Sequence, residues 1–287
     1  MRDDRGGDEP RETGTRGARA LPPTLKRFGQ HFLSDQRVLA RIADALQLTG
    51  AETVVEIGPG RGALTDVLAA RAARLVAVEL DRQLAAMLRE RYASQPHVTI
   101  VEADVLSSDL GALAGGPYVL AGNVPYYITT PIIFRALEAP RPARMAFLVQ
   151  REVAERLGAA PGSKTYGALS VNAQTMAAVE VLFRVPAGAF VPPPKVESAV
   201  VRLTPRSEPL LAPGEEDGYR RFVQAAFGMR RKQLARILRS VRGATPEEAE
   251  AMLADVGIAR DARPETLGVE TWVRLYRRVA GATATGG

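Results

Sequence analysis

An exocyclic aromatic amine is a poor nucleophile because its lone pair is delocalised into the ring. A protein that alkylates one must hold both amine hydrogens and turn the lone pair toward an electrophile. The run Asn123-Val124-Pro125-Tyr126 carries groups suited to this. The Asn123 side-chain oxygen and the backbone carbonyl of Val124 or Pro125 are acceptors for the two hydrogens. Tyr126 supplies a flat face against which an unstacked base can lie. No strong base is required, because the proton becomes acidic once the nitrogen carries positive charge. A second run, Phe190-Val191-Pro192-Pro193-Pro194-Lys195-Val196, is held stiff and extended by its prolines. It is expected to fix Phe190 as a stacking plate opposite Tyr126; the alternative is a rigid hairpin connection with Phe190 in the core. The expected catalytic set is Asn123, Pro125, Tyr126 and Phe190.

A ligand site is readable upstream. Glu56-Ile57-Gly58-Pro59-Gly60-Arg61-Gly62 stands at a strand-to-helix turn, where glycines let the backbone approach a ligand and the next helix offers free N–H groups. Extended through Ala63, it also passes as a dinucleotide fingerprint, so a nicotinamide-dependent oxidoreductase is a rival reading. Glu79, about 20 residues on, has the place of an acid that accepts from both ribose hydroxyls of a nucleoside. Asp104, at the end of the following strand, is a candidate acceptor for an adenine amino group or a turn-forming Asp.

These residues need a frame that brings them to one edge. Val38, Leu39, Ile42, Ala43 and Leu46 recur at helical spacing after Ser34-Asp35, a plausible N-cap. Short apolar runs at 53–57, 75–78, 98–101, 118–121 and 145–149 alternate with helical stretches, which indicates an α/β domain around a largely parallel sheet. Runs at 179–185 and 198–203, joined by the Pro-rich loop, are expected to form an antiparallel hairpin at the sheet's edge. Beyond 205 the Pro-, Glu- and Gly-rich stretch 206–218 reads as a linker, and 219–241, 245–256 and 265–279 carry only helical periodicity. Residues 1–25 read as a disordered tail, 26–205 as the α/β domain and 206–287 as a small all-helical C-terminal domain. Arg230, Arg231 and Lys232, with Arg220, Arg221, Arg236 and Arg239, are expected along one helix spanning 219–241, where no acid interrupts them, and Arg242 directly follows. Phosphate contact is the expected use, a solvated basic face the alternative.

Composition narrows the classes. The chain has 287 residues, 38 Lys and Arg against 32 Asp and Glu, a formal charge of +6, no Cys and two His. Thiolate sites are excluded, and no metal is expected. No long uncharged apolar run suits a membrane span, and the first ten residues lack a secretory signal's apolar stretch, so a cytoplasmic protein is expected.

Several of these runs together resemble one family, the ribosomal RNA adenine N6,N6-dimethyltransferases. The resemblance spans about residues 26–279. It rests on Arg27-Phe28-Gly29-Gln30-His31-Phe32-Leu33, the glycine turn, Glu79-Leu80-Asp81, Asn123 to Tyr126, Gln150-Arg151-Glu152-Val153, Pro161-Gly162-Ser163-Lys164-Thr165-Tyr166-Gly167, the stretch 190–203 and Ala226-Phe227-Gly228-Met229-Arg230-Arg231-Lys232. The 161–167 and 226–232 stretches are most similar to the small-subunit (16S) branch, the kasugamycin-sensitivity methyltransferases. The alternative is the erythromycin-resistance branch, which acts on large-subunit (23S) rRNA. The resemblance implies a Rossmann-like class I methyltransferase domain, with S-adenosylmethionine as methyl donor bound by residues matching His31, Leu33, Gly58, Glu79, Asp104 and Asn123. It implies, as acceptors, two adjacent adenosines in a hairpin loop near the 3′ end of 16S rRNA, each methylated twice during ribosome assembly. A monomer is expected, with Arg230, Arg231 and Lys232 on the RNA. Departures from the family pattern are His31 for Asn, Val124 for Leu, Tyr127 for Asn and Met229 for Gln. A ribosome-assembly factor without chemistry is a further rival, and the intact donor and amine motifs argue against it.

Overall fold

The computed structural model describes residues 31–281. The stretch 1–25 and the first four residues of the 27–33 motif therefore lie outside the described residues. The chain begins with the short strand β1 (Phe32–Leu33) and helix α1 (Gln36–Ala45), whose N-cap is Asp35: its carboxylate accepts from the Arg37 and Val38 amides. Three strand–helix units follow, β2 (Thr53–Ile57) with α2 (Ala63–Ala69), β3 (Arg74–Glu79) with α3 (Arg82–Arg91), and β4 (Val98–Glu102) with α4 (Leu110–Ala114). Next come β5 (Tyr118–Asn123), α5 (Thr129–Leu137), β6 (Met145–Gln150), α6 (Arg151–Leu157), α7 (Ala168–Met176), β7 (Ala177–Val185), β8 (Phe190–Val191) and β9 (Ser198–Pro205).

The seven-stranded sheet has the order β4-β3-β2-β5-β6-β9-β7, parallel from β4 through β6, with β9 and β7 antiparallel at the end as expected for the hairpin. Strand period sends alternate side chains to opposite faces. Val55, Ile57, Val76, Val78, Leu120 and Phe147 enter one core, under α4 to α7. Val54, Leu75, Val119, Ala121, Leu148 and Val200 enter the other, under α1 and α2. A parallel sheet covered on both faces offers ligands only its carboxyl edge, where Glu79, Asn123 and the turn after Ile57 all emerge.

The loop between β7 and β9 is more than a hairpin connection. Its strand β8 pairs with β1, Phe32 opposite Val191 and Leu33 opposite Phe190. The Ser34 amide and hydroxyl both donate to the Ala189 carbonyl. Two segments far apart in sequence thus form one strap over the carboxyl edge.

The C-terminal part is α8 (Glu216–Gly228), α9 (Leu234–Arg242), α10 (Pro246–Asp255) and α11 (Val269–Gly281). Helix α10 opens with a capping box in which Thr245 and Glu248 exchange side-chain-to-backbone bonds, with Pro246 at the first position. Trp272 sits fully buried at the centre, with Phe222 and Phe227 ring centroids 5.9 and 5.6 Å away. The same core takes Ala159, Tyr166 and Val171 from before the composition break at 205, and the Tyr166 hydroxyl donates to the Leu267 carbonyl at 2.8 Å. Packing therefore crosses that break. One expectation fails here: residues 219–241 are not one helix. The helix stops at Gly228, the chain turns through 229–233, and α9 starts at Leu234, whose amide donates to the Ala262 carbonyl at 2.8 Å. The break lets Ile237 and Leu238 turn back into the core instead of continuing outward with α8. Among the described residues, no helix is long and apolar enough to cross a membrane.

Candidate active site

A cavity of about 350 Å³ lies at the carboxyl edge beneath the strap. It is lined by His31, Phe32 and Leu33 of the strap, Glu56, Gly58 and Gly60 of the first turn, Glu79, and Asn123 through Tyr126. A smaller adjoining cavity of about 80 Å³ shares Gly58, Glu79 and Pro125 with it and adds Leu80, Asp104, Val105, Tyr127 and Ile128. The expected ligand residues thus line these two adjoining cavities: His31, Leu33 and Asn123 the larger, Asp104 the smaller, and Gly58 and Glu79 both. The glycine turn and the Asn123 to Tyr126 run, separated in sequence, share a wall.

The glycine turn is shaped by backbone demands. Gly58, Gly60 and Gly62 all have positive φ, and at Gly62 a Cβ would stand 2.9 Å from Leu88 and 3.0 Å from the Tyr92 hydroxyl. That hydroxyl donates to Asp66, which also pairs with Arg91, while Arg91 donates to the Arg61 carbonyl at 3.0 Å. The first turn is therefore braced from α3 as well as by its own strand.

Glu79 is nearly buried, and its two oxygens accept from the Gly60 amide at 3.0 Å and the Asp81 amide at 2.9 Å. Burial nonetheless holds its carboxyl above the ordinary range, partly opposed by those two bonds. Glu56, quoted in the sequence motif but given no role there, is the functional candidate that sequence reasoning missed. It is 1 % exposed, flanked across the sheet by the small Ala77 and Ala121, and one of its oxygens has no partner. Burial, with the nearby Glu79 and Asp66 carboxylates adding to it, pushes Glu56 up to about 8. A carboxyl so placed in a cavity wall is unusual. The signal available in sequence was a charged residue inside a β-branched strand.

At the acceptor end, the Pro125 carbonyl already receives the Ile128 amide at 3.1 Å and the Thr129 hydroxyl at 3.2 Å. Both of its lone pairs are used, and no described donor reaches the Val124 carbonyl. Of the two carbonyls considered, Val124 is the one left without a described donor, which the expectation for Pro125 did not foresee. Tyr126 lines the cavity. Its hydroxyl lies 2.7 Å from the Ser198 hydroxyl, and the His31 ring is stacked beside it at 6.2 Å between centroids. Phe190 is not brought opposite Tyr126. It is 2 % exposed, packed with Leu33, Leu148 and Val200 in the core beneath the strap, because its strand pairing with Leu33 turns it inward. The stacking-plate expectation is corrected to the core alternative for this structure.

Asp104 is exposed at the mouth of the smaller cavity and caps its own turn by accepting from the Leu106 amide at 2.9 Å through one oxygen. Arg230, Arg231 and Lys232 sit on the turn between α8 and α9, not on a helix face. Arg230 donates to the Lys164 carbonyl at 2.9 Å and lies 3.9 Å from Glu265, whereas Arg231 and Lys232 are exposed.

A mostly parallel sheet with a glycine turn after its first long strand, a buried acid at the end of the next and Asn-x-Pro-Tyr at the carboxyl edge define a Rossmann-like methyltransferase domain. Comparison with known proteins makes this narrower. Residues 24–281 match the model of the family described as ribosomal RNA adenine dimethylase. Ribosomal RNA small subunit methyltransferase A of Geobacter sulfurreducens is 42% identical over 268 residues, covering 91% of this chain and 96% of that protein. The protein of the same name from Rubrobacter xylanophilus is 46% identical over 260 residues, covering 90% and 96%. Among solved structures, the 23S rRNA methyltransferase ErmE aligns with a TM-score of 0.68 at 31% identity, over 87% of this chain and 99% of that one. A dimethyladenosine transferase from Plasmodium falciparum shares the fold with a TM-score of 0.75 at 22% identity, over 87% and 98%. The chain belongs to the ribosomal RNA adenine dimethylase family, and is an rRNA adenine dimethyltransferase.

Proposed function

We propose that this protein dimethylates N6 of two adjacent adenosines in the 3′-terminal hairpin loop of 16S rRNA, using S-adenosylmethionine, during small-subunit assembly in the cytoplasm. The observation that carries the reading is the single cleft joining the glycine turn and Glu79 to Asn123 and Tyr126. Identities of 42% and 46% to small-subunit enzymes, against 31% to a 23S enzyme, favour the small subunit.

The residues present fit such a donor. Glu56 belongs to the cavity wall and carries a buried oxygen without a described partner, and two carboxyls in one wall suit a ligand carrying positive charge. His31, Leu33 and the Gly58–Gly60 backbone would hold the methionine end, Glu79 the ribose, and Asp104 with Tyr127 and Ile128 the adenine. When bound, S-adenosylmethionine supplies an activated methyl group on a good leaving group. Asn123 Oδ1 and the Val124 carbonyl accept the two hydrogens of the acceptor amine and aim its lone pair across the cleft. Tyr126 supports the base. Alignment of the two reactants, not proton abstraction, is the main contribution asked of the protein. Arg231 and Lys232 meet RNA phosphates outside the cleft.

Primer-extension stops on both rRNAs, after reaction with unmodified ribosomal subunits, test the reading. The expected outcome is a pair of adjacent stops near the 3′ end of 16S rRNA; stops on 23S rRNA alone would assign the protein to the large-subunit reaction.

A further inference from the structure

Tyr126 follows the turn that carries Asn123, on a segment without regular hydrogen bonding beyond one 3-10 turn (Tyr126–Ile128). A ring on such a segment would be free to swing, yet base stacking needs its plane fixed. Two contacts restrain it. At its edge, the hydroxyl meets the Ser198 hydroxyl at 2.7 Å. On one side, the His31 ring lies 6.2 Å away at 26°, held by its Nδ1–H donating to the Pro192 carbonyl at 2.8 Å.

Ser198 is 0 % exposed, and among the described residues Tyr126 is the one partner its hydroxyl finds. Its backbone is the first residue of β9, in register with Gln150 of β6 and Val185 of β7. Beside it, Arg151 pairs with Glu197 at 2.7 Å, and the Arg151 amide donates to the Glu197 carbonyl at 2.9 Å. The hydroxyl is therefore carried by a strand paired on both sides, although it stands 72 residues from Tyr126. Burying a serine hydroxyl beside an apolar core is unfavourable unless it is hydrogen-bonded.

We infer that Ser198 is a positioning residue for methyl transfer. Its hydrogen bond fixes the Tyr126 ring while His31 covers one side, so the acceptor base is received on the other. The inference rests on the proposed base-stacking use of Tyr126. It makes the antiparallel end of the sheet, and not only the carboxyl edge of the parallel strands, part of the acceptor site.

A double-mutant cycle tests it, with methyl transfer from labelled S-adenosylmethionine to unmodified small subunits as the readout. Tyr126→Phe and Ser198→Ala each remove the same bond. Each is expected to lower kcat about ten-fold with the KM for RNA little changed, and the double variant to lose about ten-fold, not a hundred-fold. S-adenosylhomocysteine affinity is expected to stay within about two-fold throughout, since neither group holds the donor. Losses that multiply, or a wild-type kcat in Tyr126→Phe, would overturn the tether. A purely structural serine would lower the melting temperature without coupling to Tyr126. If Ser198→Ala does not fold, Ser198→Cys, close in shape but a weaker hydrogen-bonding group, takes its place in the cycle. A wild-type protein that methylates no adenine refutes the functional reading itself, whereas an active wild type with multiplying losses refutes the tether alone.

Discussion

The cleft and the basic turn of the C-terminal helices are both marked in sequence by short runs of unusual composition, but they meet different physical constraints. In the cleft, a parallel sheet delivers every strand's carboxyl end to one edge, so a residue at a strand end has its place fixed by topology. In the helical part, direction depends on where a helix stops. Arg230, Arg231 and Lys232 share a charge pattern, yet the chain turns between α8 and α9 and divides them: Arg230 ties down the 163–164 backbone, while Arg231 and Lys232 face solvent. Position in a sheet can be read from a strand-end motif. Position in a bundle depends on tertiary contacts that the local pattern does not contain.

The sharpest test of the cleft side is Asn123→Ala. It removes one of the two acceptors proposed for the amine, and methyl transfer is expected to fall by at least about a hundred-fold, because misalignment alone can cost that much. S-adenosylhomocysteine binding by calorimetry is expected to persist. Near-wild-type transfer would break the claim that a strand-end position fixes function here.

Glu56 offers a smaller effect with a definite sign. Its folded-state carboxyl sits at about 8, well above the ordinary 4.5. The folded chain therefore keeps a proton that the unfolded chain releases, so the associated stability is present below about pH 4.5 and is lost as pH rises through about 8. Glu56→Gln, which cannot ionise, is expected to match wild type in melting temperature near pH 5 and to exceed it by about 3 °C or more at pH 8.5. Its affinity for S-adenosylhomocysteine should be weaker than wild type, and flatter between pH 6.5 and 8. A constant melting-temperature difference across that range would show that Glu56 is not held protonated.

The smallest effect sharpens the other half of the comparison. Arg231→Ala with Lys232→Ala is expected to weaken RNA binding and to reduce the slope of log affinity against log salt by about 1 to 2, one increment for each phosphate lost. Arg230→Ala is expected to act mainly on melting temperature, through the lost contact to the Lys164 carbonyl. Equal changes in salt slope for all three would mean that the turn behaves as one basic surface.

Much of this arrangement was legible from the chain. The β-branched runs gave the strands, Asp35 and Thr245 marked helix starts, and the Asn123 to Tyr126 run indicated the amine chemistry. Phe190 was misread because its aromatic type and proline neighbours suit a stacking plate as well as a core plug, and only pairing with Leu33 decides between them. Glu56 was passed over because a carboxylate within a strand gives no sign of which cavity it will face. The single helix expected over 219–241 followed unbroken periodicity, and nothing in that periodicity encodes the turn's contact with the Ala262 carbonyl.

By itself the sequence determined the element types, the strand-end placement of the site and the chemistry that its residues can support. Those follow from local backbone preferences and from side-chain functional groups, which are properties of the residues themselves. The tertiary structure alone decided which carbonyl of Val124 and Pro125 is left without a described donor, that the strap lines the cleft, that burial raises the Glu56 carboxyl and that the Ser198 hydroxyl meets that of Tyr126. Each depends on atoms far apart in sequence meeting within hydrogen-bonding distance or being cut off from water, and only the folded chain sets those distances.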